Sequence, residues 1–158
     1  MLIFTASTAL FAANAATAAL AADTTKAAAF SARESALLKR INTVRAEHRL
    51  SPLRVDPTLV RTARAHSGMM LRQGVFSHGD FARRMRAHGV RFPLLGENIA
   101  WGSGSYATAR SMVKAWLASP GHRAILLHPR FRRIGIGARV GTFSGYRRAA
   151  VVTTDFAS

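Results

Sequence analysis

The chain has 158 residues, 49% hydrophobic and 19% charged, which suits one domain with a real core and leaves too little length for two. Its 23 Lys and Arg stand against 7 Asp and Glu, a formal charge of +16 that favours anionic partners. There is no cysteine, which excludes a disulfide framework, thiol catalysis and thiolate-bound metal, and leaves histidine and carboxylate as the strong ligands for a transition metal.

Residues 1 to 22 are uncharged and rich in alanine, and Ala19-Leu20-Ala21 has the small-x-small form that a signal peptidase reads. The expectation is export, with residues 1–21 as signal peptide and 22–30 as a flexible lead-in. No Lys or Arg precedes the apolar run, so the usual basic start is missing. A membrane-anchoring helix is the alternative, for which an Ala/Thr-rich run is only weakly hydrophobic.

Ser31-Ala32-Arg33-Glu34 has the form of a capping box. Behind it Leu37, Leu38, Ile41 and Val44 recur at helical spacing, predicting a helix over about 32–48 that ends before Ser51-Pro52. Asp56-Pro57 opens a second helix, which Leu59, Val60, Ala63, Ala65 and Met70 carry to Gly74. His66 falls inside it at a packing position, where a histidine more often hydrogen-bonds than ligates. His78 follows on a turn beside Gly79, and a loop can aim a side chain into a cleft. Asp80 caps a short predicted helix from Phe81 to Ala87.

Glu97 in Gly96-Glu97-Asn98-Ile99-Ala100-Trp101 is the one carboxylate between Asp80 and Asp155, and Leu94, Leu95, Ile99 and Trp101 carry its backbone toward a core. Burying an unpaired carboxylate costs several kcal/mol or more, so Glu97 must meet a cation, a donor network, a shared proton or a metal-bound group. An arginine salt bridge is the plain reading and a histidine pair the sharper one. Asn98–Trp101 is predicted as a short strand. Ser105 is predicted to open a helix whose apolar face is Ala109, Met112, Val113, Trp116 and Leu117. Ser119-Pro120-Gly121-His122 then turns the chain and sets His122 at the start of another short helix.

Ile134, Ile136, Ala138 and Val140 alternate with Arg133, Gly135, Gly137 and Arg139, the period of a strand, and Arg147 to Phe156 returns after a turn at Thr142–Gly145. Ala149-Ala150-Val151-Val152 is apolar on both parities, so the hairpin should lie between helical layers, in an α+β fold. Arg83-Arg84-Met85-Arg86 and Arg130-Phe131-Arg132-Arg133 read as solvated surface. Neither aromatics interleaved with basic residues nor a basic recognition helix stands out, so nucleic acid is not an expected partner.

Six motifs occur in an order that resembles the bacterial, cysteine-free branch of the CAP superfamily, which includes cysteine-rich secretory, antigen-five and pathogenesis-related-one proteins. They are Ala65-His66-Ser67, Phe76-Ser77-His78, Gly96-Glu97-Asn98-Ile99-Ala100, Met112-Val113-Lys114-Ala115-Trp116, Ser119-Pro120-Gly121-His122-Arg123 and Phe131-Arg132-Arg133-Ile134-Gly135-Ile136-Gly137. The resemblance implies one secreted domain over 31–158, an α-β-α sandwich with a small antiparallel sheet between helical layers. It also implies a cleft in which His78 and His122 ligate a divalent metal, commonly zinc, with Glu97 in support. The family's second glutamate would fall at Ser119, so this chain departs from the full set.

Two imidazoles alone make a weak site completed by water. Glu97, Ser119 and His66 would then support the ligands from behind. The favoured function is a secreted binding module, periplasmic or extracellular and monomeric, for a lipid or envelope component. One alternative is a metal-dependent hydrolase in which Glu97 is the catalytic base toward bound water. Another is an electrostatic binder of anionic envelope polymers.

Overall fold

The computed structural model describes residues 29–158; the expected signal peptide and all but the end of the lead-in lie outside the described residues. Helix α1 (Ala32–Glu47) starts on Ser31 with both halves of the capping box formed, the Glu34 amide donating to Ser31 Oγ and the Ser31 amide to Glu34 Oε2. Glu34 is buried and also accepts from Arg64 Nε at 2.9 Å and the Ala138 amide at 3.2 Å, so the capping acid ties three elements together. Strand β1 (Arg54–Val55) follows, too short to show a period in the sequence.

Helix α2 (Pro57–Gln73) begins where Asp56 Oδ1 accepts from the Thr58 and Leu59 amides, and it stops at Gly74 in the left-handed region, φ 66°. Helix α3 (Phe81–Ala87) is capped by Asp80. Strand β2 runs Leu95–Gly102, longer at both ends than the Asn98–Trp101 expected, because it pairs with the final strand along its whole length. Ser105 does not open a helix. A 3-10 turn (Gly104–Ala107) intervenes, and Thr108 Oγ1 accepts from the Ser111 amide to cap α4 (Ala109–Ala118). Helix α5 (Pro120–Leu126) comes next, then β3 (Arg133–Phe143) and β4 (Tyr146–Ala157) as the predicted hairpin.

The sheet order is β1-β3-β4-β2, antiparallel except for β1 beside β3. One face carries Ile134, Ile136, Val152 and Phe156, which pack with Leu37, Ile41 and Val44 of α1 and Met112, Val113 and Trp116 of α4. The other face carries α2. A Cβ on Gly135 would lie 2.0 Å from the Leu59 carbonyl carbon, and one on Gly137 would lie 2.3 Å from that of Ala63, so the two glycines form the seat on which α2 rests. Ser67 Oγ pins that contact by donating to the Gly137 carbonyl at 2.9 Å, with Thr153 Oγ1 also at 2.9 Å. The result is an α+β fold of three layers, helices on both faces of one small sheet. No helix among the described residues is long and apolar enough to cross a membrane.

Candidate functional site

Strand β2 is a sheet edge, and Glu97 sits on it in register with Asp155 of β4, which in turn faces Gly135 of β3. Those three positions share the α2 face. The Glu97 side chain is 3% exposed, and both of its oxygens are engaged. His78 Nδ1 donates to Oε1 at 2.7 Å, and Arg84 Nη2 pairs with Oε2. The plain and the sharper reading of this acid are therefore both present in the structure.

The loop that carries His78 is held from two sides. His66, 1% exposed within α2, lies with Nε2 3.0 Å from the Ser77 carbonyl, which can only accept, so Nε2 carries the proton. Burial pushes the His66 pKa down, further than nearby Glu97 raises it, so the ring is neutral at pH 7. Its distance to Glu97 Oε2, 3.8 Å, is beyond a hydrogen bond, so His66 orients the loop rather than the acid. Arg84 Nη1 donates to the His78 carbonyl at 2.8 Å while its other nitrogen holds Glu97, and its guanidinium lies over the Phe81 ring.

His122 arrives from the opposite side of the β2 edge, at the start of α5. Its Nδ1 lies 2.8 Å from Ser119 Oγ, and its carbonyl accepts from Asn98 Nδ2 at 3.0 Å. Ser119 is the residue before α5, yet its hydroxyl makes no bond to the helix's free amides and goes to the imidazole. Burial lowers the His122 pKa, and His78 lowers it further. Trp116 Nε1 donates to the Ile99 carbonyl at 2.9 Å and fixes α4, and with it the Ser119 turn, against β2. Gly96 admits Ile125 and Phe131, whose side chains would lie 3.1 and 2.9 Å from a Cβ there.

The structure thus brings His78, His66 and Glu97 together directly, with His122 and Ser119 across the strand edge. Among the described residues no three His, Asp or Glu side chains gather as a metal group. The donor set fits a cation only as two imidazoles completed by water.

Two members of the cluster escaped the sequence reading. Arg84 was hidden in a run taken for solvated surface. Asp155 is fully buried, and neither oxygen finds a donor among the described residues. Burial raises its pKa well above 3.8, the charge of Glu97 raises it further, and Arg84 opposes. Protonation of this carboxyl would remove the buried, unpaired charge. An acid within a strand apolar on both faces was the signal available in the sequence.

The model of the cysteine-rich secretory protein family, CAP, matches residues 38–156, a span that includes all of these side chains. The chain belongs to this family. The protein YkwD of Bacillus subtilis is 38% identical over 112 residues, covering 68% of this chain and 42% of YkwD. The membrane protein YlbC of the same organism is 33% identical over 109 residues, covering 66% of this chain and 31% of YlbC. The chain therefore spans less than half the length of these curated relatives. Among solved structures, an extracellular SCP-domain protein of Bacillus anthracis aligns with TM-score 0.66 and 28% identity over 79% of this chain and 40% of that one. An outer surface protein of Borrelia burgdorferi shares the fold at TM-score 0.62 and 22% identity, over 76% of this chain and 87% of that one.

Proposed function

We propose that this CAP domain is an exported binding module whose edge cleft holds a divalent cation, zinc by the chemistry of its donors, between His78 and His122. The observation that carries the reading is the treatment of the two imidazoles. Each has Nδ1 anchored, one to Glu97 and one to Ser119, so each can turn Nε2 outward as a lone pair. A hydroxyl accepts as well as donates, so Ser119 serves where the family's second glutamate is absent. Such an ion would supply Lewis acidity and a docking point for a ligand oxygen. Val75 and Phe76, 55% and 43% exposed in the loop that carries His78, are apolar side chains that a lipid or envelope ligand with a nonpolar part could meet. Export is supported by the description of the B. anthracis relative as extracellular.

Water activation by Glu97 finds less support. A general base needs a free oxygen within reach of water, and here both oxygens are occupied and the side chain is nearly fully buried. Zinc titration by calorimetry tests the binding reading. One weak site is expected, at least tenfold weaker in His78→Ala and in His122→Ala. Undiminished zinc binding by the double variant would overturn it.

A further inference from the structure

At the sheet edge opposite β2, Arg54 of β1 and Arg133 of β3 are register partners, two like charges side by side on adjacent strands. Directly opposed like charges disfavour the pairing, and an anion held between them would relieve it. Arg132 is next to them, its Nη1 turned to the Pro129 and Phe131 carbonyls, and these three arginines with Ser51 and Pro52 line a cleft of about 420 Å³.

A fourth guanidinium stands behind the wall. Arg45 is fully buried and spends its donors on carbonyls alone, those of Ser51, Leu126, His128 and Phe131, with no carboxylate partner among the described residues. Burial lowers its pKa and the charge of Arg132 lowers it further. No acid lines the cleft, and every acid among the described residues is engaged elsewhere. Glu34 pairs with Arg64 and Glu47 with Arg40. Asp56 and Asp80 cap helices, and Glu97 and Asp155 belong to the histidine cleft.

We propose that this edge cleft is an anion site for the phosphate group of a small phosphomonoester, gripped by Arg54, Arg132 and Arg133. Three guanidiniums with no internal counter-charge favour a dianionic tetrahedral group over a single carboxylate, because each planar fork offers paired donors to phosphate oxygens. The volume exceeds that of a bare phosphate ion, which leaves room for a polar carrier beside Ser51. The site is separate from the histidine cleft, with β3 and β4 between them.

The test titrates the protein, without zinc, with inorganic phosphate and with glycerol 3-phosphate at constant ionic strength, following amide shifts and melting temperature. Saturable binding is expected, with shifts centred on Arg54 and Arg133. Affinity should fall at least tenfold in Arg54→Gln/Arg133→Gln and less than twofold in Arg110→Gln/Lys114→Gln, which removes the same charge from α4. Without phosphate, Arg133→Gln should melt above wild type, because it relieves the opposed pair. Tighter binding of glycerol 3-phosphate assigns the remaining volume to the carrier, and equal affinities assign the site to the phosphate group alone. Binding that never saturates, shifts centred elsewhere, or equal weakening in both double variants overturns the proposal. The shift map of the wild type decides the matter even where a variant folds poorly.

Discussion

Asp155→Asn probes the buried acid pair and has a sign that the structure dictates. The side chain is fully buried, neither oxygen meets a donor among the described residues, and Glu97 is its register neighbour. Above pH 3.8 the unfolded chain releases the proton of Asp155, while the native fold, whose pKa is raised by burial first and then by Glu97, retains it. The native state then binds more protons than the unfolded state, so stability falls as pH rises. The slope from one such group is at most about 1.4 kcal/mol per pH unit, and it lasts until the native acid itself ionises. Asparagine keeps the size and removes the titration. Urea denaturation of both proteins from pH 4.5 to pH 7 should show the variant gaining on the wild type with each step upward. Parallel stability profiles would refute the assignment of a protonated Asp155.

Gly137→Ala should cost about 1–3 kcal/mol or more, because the new methyl forces α2 back by about 1 Å from a backbone that has no side chain to yield. Thermal melting measures this, and an unchanged midpoint would contradict the close seat. The same variant should broaden the His78 ring signals in NMR spectra, since α2 carries His66 and leads into the His78 loop. Glu34→Gln tests the capping acid. Burial raises the Glu34 pKa, but the bonds from Arg64, Ser31 and Ala138 outweigh it and set the net value below 4.5. Its stabilisation is present above that pH and lost as pH falls through the native value. The wild type's advantage in urea should therefore shrink from pH 7 to pH 3, and a constant advantage would count against the ion pair.

Local signals in the sequence led to most of the architecture. The capping box at Ser31, Asp56-Pro57 and Gly74 are short-range chemistry, and each ends or begins a helix where the spacing indicates. The hairpin was equally plain from period-2 alternation. The 3-10 turn before α4 was not, because Ser103, Ser105 and Thr108 all look like caps and only the backbone path selects Thr108. At the site, the demand of Glu97 for a partner was legible from a lone acid among apolar neighbours. Its partners were less so. Asp155 meets it through strand register, a relation between distant segments that no local pattern carries, and Arg84 looked like its solvated neighbours until α3 was placed. Gly135 and Gly137 appeared as the polar phase of a strand, whereas they are small because a helix backbone lies on them.

For the cleft to hold an ion as proposed, both imidazoles must carry the proton on Nδ1 and leave Nε2 free. Long-range proton–nitrogen NMR spectra of the metal-free protein at neutral pH read this directly, and zinc is then added. Nδ1–H tautomers are expected at His78 and His122, with both Nε2 resonances shifting together as zinc is titrated. Nε2–H tautomers at either ring, or zinc that moves neither resonance, would contradict it.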